Sequence, residues 1–349
     1  MGNSEIVLVT GGTGFVGIHC ILRLLQKGYS VRTTLRTIGK KKDVIAMLRN
    51  GGILSSDDDQ IDHLHFISAD LTREDNWDEA MKDCKYVLHV ASPTHSHSPK
   101  DENEMIRPAV DGVLRVLKAA RKAGVARVVM TSSFGAVGFS NKNPQAETTE
   151  ANWTDPNERG LSAYEKSKGL AERAAWDFME KEGGLELAVI NPVAIFGPSL
   201  GPSQSPSLGL LKILLDGSMK AIPNIPLNVV DIRDVADLHI RAMIHPRASG
   251  QRFIASADGK ISLPEIAIFV KDKMPGLAAK VSTRTLPDWV VGIAAWFNPQ
   301  AKLAAAFLKI SRNVSNAKAK QVLGWTPIAS KEQAVLASVE SMIKFDLIK

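Results

Sequence analysis

Residues 10–17, TGGTGFVG, constrain this chain more than any other stretch. They follow the β-branched run EIVLVT (5–10) and lead into GIHCILRLLQKG, which stops at Gly28 as a helix should. Gly12, Gly14 and Gly17 stand at the spacing of a dinucleotide-binding turn, and Gly11, Gly14 and Gly17 at a wider version of it. The reason for glycine is steric: a tight turn and a close approach of backbone to a pyrophosphate both exclude a Cβ. The N-terminus of the following helix adds N–H donors and the positive end of its dipole. Strand, glycine loop and helix in that order predict a nucleotide cofactor over Gly11, Thr13, Gly14, Phe15, Val16 and Gly17.

The same alternation continues down the chain. Strands are expected at 5–10, 30–36, 64–70, 86–91, 126–133 and 185–192, with helices between them, among them AVDGVLRVLKAARKAG ending at Gly124. Such strands joined by right-handed crossovers make a doubly wound parallel sheet, a Rossmann-type α/β fold. After Asn191 and Pro192 the texture changes to GPSLGPSQSPSLG (197–209), which reads as a long mobile loop over a binding site. A short strand near LNVVDIRDVADLHIRAM and scattered helices follow, without an internal repeat.

With 349 residues and 44% hydrophobic content, the chain has enough apolar material for two cores. Net charge is +6, but the basic residues are spread out, with Lys40–Lys42 the longest run, so no nucleic-acid surface is expected. Two cysteines, Cys20 and Cys84, lack metal-ligand spacing and suit a reducing compartment. No leader-like segment opens the sequence, and no apolar run approaches the ~18 residues of a membrane helix. A soluble, cytoplasmic protein with no membrane partner is therefore expected.

An NAD site places an acid at the end of the second strand to take the ribose 2′-hydroxyl. Here that place holds Arg36, with Lys42 just beyond. An arginine fork accepts a 2′-phosphate and stacks on adenine, so NADP(H) is the expected cofactor. Asp70 and Leu71, at the end of the third strand, are placed to meet the adenine, and Asp70 equally suits a cap for LTREDNW.

LSAYEKSKGLAERAAW (161–176) reads as a helix that carries Tyr164 and Lys168 one turn apart on one face. A hydride passes to a carbonyl only if something protonates the developing alkoxide. A nearby ammonium favours phenolate and so is expected to lower the tyrosine pKa, making Tyr164 a usable acid or base. The fifth strand ends in TSSFG, putting Thr131, Ser132 and Ser133 at the carboxyl edge of the sheet, where a hydroxyl can hold the reacting oxygen.

VTGGTGFVG, VLHVASP (87–93), VVMTSS (128–133), YEKSK (164–168), NPVAIFGP (191–198), VDIRDVADLHI (230–240) and LGWTP (323–327) together resemble the extended short-chain dehydrogenase/reductases. Within these the chain is most similar to the branch of dihydroflavonol reductases, cinnamoyl-CoA reductases and related aldehyde and ketone reductases. The resemblance implies Ser133 as the donor that orients the carbonyl, Tyr164 as the acid, and Lys168 as its tuner and ribose clamp. It implies Pro192 and Val193 beside the nicotinamide carboxamide, and Val90, Ala91 and Ser92, with Thr131, along the dinucleotide. It further implies a cofactor domain of residues 1–192 plus about 223–248, and a smaller C-terminal substrate-binding lobe of about 193–222 plus 249–349.

The chain departs from the family pattern at Ala109, in PAVDG, where many members carry an asparagine; a water-borne proton relay must then run differently. Phe134, Val137 and Gly138 stand where sugar-nucleotide enzymes show an acid or a Tyr-Gly pair, which weakens a sugar-nucleotide reading. Substrate is expected between Ser133, Tyr164 and the loop 197–209, with Pro93, Thr94, Phe134, Val193 and parts of LGLLKILL as walls. These segments are apolar and hold no arginine, which suits an aromatic or aliphatic aldehyde, ketone or β-keto ester. His95 and His97 are read as pocket-mouth residues rather than metal ligands, no metal is expected, and Asp231, Arg233 and Asp234 are read as structural. The expectation is an NADPH-dependent carbonyl reductase, monomeric or homodimeric, acting on a small-molecule carbonyl substrate. Alternatives are a nucleotide-sugar epimerase or dehydratase, a hydroxysteroid-type dehydrogenase, or a sensor that binds NADP(H) without chemistry.

Overall fold

The computed structural model describes residues 3–53, 60–93, 101–202, 205–277 and 280–348. The first half alternates as expected: β1 (Asn3–Val9), α1 (Phe15–Gln26), β2 (Tyr29–Leu35), α2 (Lys41–Asn50), β3 (Leu64–Ser68), α3 (Trp77–Met81), β4 (Cys84–His89), α4 (Asn103–Lys122), β5 (Arg127–Thr131), α5 (Ala163–Glu182) and β6 (Glu186–Pro192). The second half holds β7 (Ala194–Phe196), α6 (Pro206–Leu215), β8 (Ile222–Pro223), β9 (Pro226–Leu227), β10 (Val229–Asp231), α7 (Ile232–Ile244) and β11 (Gln251–Ala255). It continues with β12 (Ile261–Ser262), α8 (Leu263–Lys273), β13 (Thr285–Leu286), α9 (Asp288–Ala294), α10 (Pro299–Leu308), α11 (Ala317–Leu323) and α12 (Lys331–Lys344).

The main sheet is parallel throughout, in the order β11-β6-β5-β4-β1-β2-β3. The order reverses between β1 and β4, so the glycine loop after β1 and the segment after β4 flank the crevice where ligands of such sheets bind. One core packs Ile18, Ile21 and Leu24 of α1 with Val235 and Leu238 of α7. A second packs Val113 and Leu117 of α4 with Ala171 and Ala175 of α5. A third joins Leu211 and Leu214 of α6, Ile266 of α8 and Val335 of α12 away from the sheet.

Three readings change. A seventh strand, β11, pairs with β6; it opens on polar residues and carries Arg252, a charge that is buried here by pairing. It lies within 249–349, as does Trp325, whose indole packs in the core of α1 and α7. These parts of the expected smaller lobe thus belong structurally with the sheet. The stretch 197–209 is shorter as a loop than its composition implies: Ser205 caps α6 by accepting from Leu208 N–H, with Pro206 in its first turn. Residues 197–201 are pinned, since Gly197 N–H and Ser199 N–H donate to the Ser338 and Ser341 hydroxyls of α12.

One buried cluster ties the sheet to α5. Glu172, fully buried, accepts from Ser132 (2.6 Å) and Asn191 (2.8 Å) on one oxygen and from Arg252 Nε (2.6 Å) on the other. Arg252 also donates to the carbonyls of Glu150 and Asn152 and lies over the Trp153 ring. Asp231 caps α7 and chelates Arg233, while Asp234 accepts from Trp325 and Ile328 N–H. Glu172→Ala strands the buried Arg252 and is expected to cost about 3–5 kcal/mol of stability, read as a lower urea midpoint at unchanged m-value; a loss within error contradicts this account.

Candidate active site

A cleft of about 800 Å³ opens along the carboxyl edge of the sheet. At its floor the glycine loop is folded tightly back on β2: Gly11 N–H donates to the Thr34 hydroxyl and Gly12 N–H to the Thr34 carbonyl. Gly11 has φ +74°, and a Cβ there would meet that of Ala91 at 3.0 Å. A Cβ on Gly17 would stand 2.3 Å from the Gly11 carbonyl oxygen. Gly14 begins α1 with no side-chain cap and no acid in the first turn, which leaves that turn's N–H groups for an anion. The Thr10 hydroxyl accepts from Val90 and Ala91 N–H, fixing the segment after β4 against the loop.

Arg36 lies exposed at the end of β2, at one end of the cleft. Asp70 lines the same end; its carboxylate accepts from Thr72 N–H and hydroxyl, and these bonds, with Arg36 and Arg73 nearby, hold its pKa below the usual value. Asp70 thus makes a local turn with Thr72, and α3 begins only at Trp77. The donors of the first α1 turn, the Cβ-free cradle and a cation at the β2 end fit a phosphorylated dinucleotide.

Beyond the floor stand Ser133, Tyr164 and Lys168. Strand β5 ends at Thr131, and Ser133 caps a single 3-10 turn (Phe134–Ala136), its Oγ accepting from Gly135 N–H at 3.0 Å. A hydroxyl has one proton, so that of Ser133 is left to point elsewhere. Tyr164 lies in the first turn of α5, begun by a capping box between Ser162 and Glu165. Lys168 Nζ is 5.9 Å from the Tyr164 ring centre.

The charge states differ from expectation. Burial, with the Glu165 charge adding to it, pushes the Tyr164 phenol up to about 12, rather than down. The burial that raises the phenol also lowers the ammonium: Lys168 is pushed down to about 8, with Glu172 one turn on opposing the shift. Both groups hold their protons at neutral pH. Two histidines behind the site are neutral through burial, His89 pushed down to about 3 and His239 to about 4. His239 Nδ1 faces the Val235 carbonyl and must donate, so its Nε2 accepts from Thr131 at 2.6 Å.

The structure brings Gly11, Thr13, Gly14, Phe15, Val16, Gly17, Arg36, Asp70 and Leu71 to this cleft. It brings there too Val90, Ala91, Ser92, Thr131, Ser133, Phe134, Tyr164, Lys168, Pro192 and Val193. Lys42 is exposed on α2 and does not line it. Thr94, His95 and His97 lie outside the described residues. Among the described residues no cluster of metal-ligating side chains occurs, and no helix is long and apolar enough to cross a membrane. Ala109 lines a separate cavity of about 10 Å³ with His89 and Lys168, the size of one water. Residues the sequence did not single out also line the cleft: Phe139, Leu227, Asn228, Phe307 and Arg312. Arg312 adds a cation to the pocket expected to be apolar with few charges; it comes from a segment far along the chain, outside the named walls and without a motif to mark it.

The family model of the NAD dependent epimerase/dehydratase family matches residues 7–255. The chain is 37% identical over 280 residues to a bifunctional dihydroflavonol 4-reductase/flavanone 4-reductase of Malus domestica, covering 78% of this chain and 77% of that one. It is 35% identical over 283 residues to an anthocyanidin reductase ((2S)-flavan-3-ol-forming) of Vitis vinifera, covering 76% and 80%. The crystal structure of Gre2 from Candida albicans in complex with NADPH superposes with a TM-score of 0.79 at 26% identity, over 97% of this chain and 99% of that one.

Gly17→Ala forces the Gly11 carbonyl aside, an overpacking cost of about 1–3 kcal/mol. Dinucleotide binding is therefore expected to weaken by about one to two orders of magnitude, measured by fluorescence titration with NADPH; unchanged affinity would show that the cradle is not used.

Proposed function

The chain belongs to the NAD dependent epimerase/dehydratase family, and from that membership we propose that it is an NADPH-dependent carbonyl reductase that turns an aldehyde or ketone into an alcohol. The observation that carries this reading is the meeting of Ser133, Tyr164 and Lys168 in one cleft with the glycine loop and Arg36. The reductase relatives, and the NADPH in the Gre2 neighbour, support it. Gly11 to Gly17 and the first turn of α1 hold the pyrophosphate, and Arg36 takes the 2′-phosphate. NADPH supplies the hydride.

The substrate oxygen sits between Ser133 and Tyr164. Ser133 donates its one proton to that oxygen, while one of its two lone pairs accepts from Gly135 N–H. Tyr164 is protonated at neutral pH, as an acid must be before it acts, and gives its phenolic proton to the oxygen as negative charge develops there. Lys168, also protonated below about pH 8, stabilises the tyrosinate left behind. Phe134, Val193, Leu227 and Phe307 exclude water around the reacting carbonyl.

Tyr164→Phe removes the acid and is expected to lower kcat by about 10²–10⁴-fold with NADPH affinity retained; near-normal turnover would take the role from Tyr164. Arg36→Asp removes charge-assisted bonds to the 2′-phosphate and sets a like charge there, so the NADPH/NADH ratio of kcat/KM is expected to fall by about tenfold to a hundredfold. A constant ratio would contradict the assignment of Arg36.

A further inference from the structure

Arg312 lies between α10 and α11 and lines the cleft that holds Ser133 and Tyr164. Its main chain is held in place, since its carbonyl accepts from Asn228 Nδ2 at 3.2 Å. Its guanidinium carbon is 6.0 Å from the ring centre of Phe134, the residue next to Ser133, and 5.8 Å from that of Phe307. Both Nε and Nη2 are buried, and neither has a hydrogen-bond partner among the described residues.

The two most buried arginines each have a carboxylate partner, although Nη2 of Arg252 also lacks a hydrogen-bond partner among the described residues. Arg127 is paired with Glu186 and donates to the carbonyls of Ala242, Met243 and His245, and Arg252 is paired with Glu172. Among the described residues no carboxylate is paired with Arg312, and burial pushes it down to about 10. Two nearby charges are of its own sign: the Lys142 pKa is lowered by burial first and then by Lys309 and Arg312, with Glu158 opposing. The acid of that neighbourhood, Glu158, faces Lys142. A desolvated guanidinium with two idle donors is costly unless an anion arrives to meet it.

We infer that Arg312 receives a carboxylate of the substrate: the carbonyl compound that reaches Ser133 and Tyr164 has an apolar body, packed on Phe134 and Phe307, and a carboxylate at its far end. Nε and Nη2 form one edge of the guanidinium, which takes two carboxylate oxygens side by side once a small shift of the side chain uncovers it toward the cleft. A single positive charge flanked by two aromatic rings suits one carboxylate on an aromatic or aliphatic frame better than a doubly charged diphosphate. The inference rests on the reductase reading and narrows its substrates to oxo and formyl acids.

The test compares 3- and 4-formylbenzoate with their methyl esters as substrates, for the wild-type protein, Arg312→Gln and Arg312→Lys. Wild type is expected to favour at least one acid over its ester by about tenfold or more in kcat/KM, through KM. Arg312→Gln is expected to bring that ratio close to unity, and Arg312→Lys to keep part of it. A wild-type ratio near or below one, or a ratio unmoved in Arg312→Gln, overturns the assignment. Calorimetric titration of the protein with the same two acids, in the presence and absence of NADP⁺, reads the contact without turnover. Binding there that depends on Arg312, with neither the acids nor their esters reduced, would sink the reductase reading alone. Reduction of the esters without any preference for the acids would sink only the inference about Arg312. Since Arg312→Gln removes an unpaired buried charge, it is expected to melt no lower than wild type, and Arg312→Lys provides the comparison if it does.

Discussion

The carboxylate of Glu172 is the point on which the catalytic geometry depends. It stands one turn beyond Lys168 on α5, and its two oxygens hold Ser132, next to Ser133, and Asn191, next to Pro192, together with Arg252 of the edge strand. Three strand ends and one helix are thereby set against each other by bonds that tolerate little movement, because a buried carboxylate that loses a partner has no water to replace it. The same charge opposes the burial that lowers the Lys168 pKa. Positioning and electrostatics thus run through one residue that does not face the substrate.

The fold was largely legible because its determinants are local. The strands from β1 to β6 are apolar runs between glycine-marked helices, and a parallel sheet buried on both faces leaves little room for ambiguity. What was not legible depended on distant partners. Strand β11 looks like a polar edge until Glu172, 80 positions away, neutralises Arg252. Residues 197–201 look like a free loop until α12, some 140 positions on, offers the hydroxyls of Ser338 and Ser341. The start of α6 was different: Ser205 before Pro206 is a local helix-start signal, outweighed by the Pro, Gly and Ser around it.

The site divides in the same way. The glycine loop, the serine at a strand end and the Tyr–Lys pair each follow from chemistry at short spacing, and all of them line one cleft. The charge state of Tyr164 did not follow, because it depends on how completely the helix is desolvated rather than on the presence of a lysine one turn away. Arg312 was invisible for a further reason. An arginine in a sequence is usually on the surface, and only the three-dimensional path of the segment after α10 brings this one under Phe307 and beside Phe134.

Placed together, these groups give the cleft a charge pattern. Its lining includes the exposed Arg36 and the uncapped first turn of α1, and also Arg312, whose Nε and Nη2 have no partner among the described residues. The buried histidines are neutral, since burial pushes His89 to about 3 and His239 to about 4, and Tyr164 keeps its proton. Beside the carboxylates of Glu165 and Glu172, the positive charge at the reacting centre near neutral pH is that of Lys168, which His89 also feels. A pair of ligands that each bring negative charge matches this pattern, and a dinucleotide lying head to tail with an acidic carbonyl compound supplies it. Reversing either partner would set an apolar group on an unpaired cation, so the charges that favour binding also fix its direction.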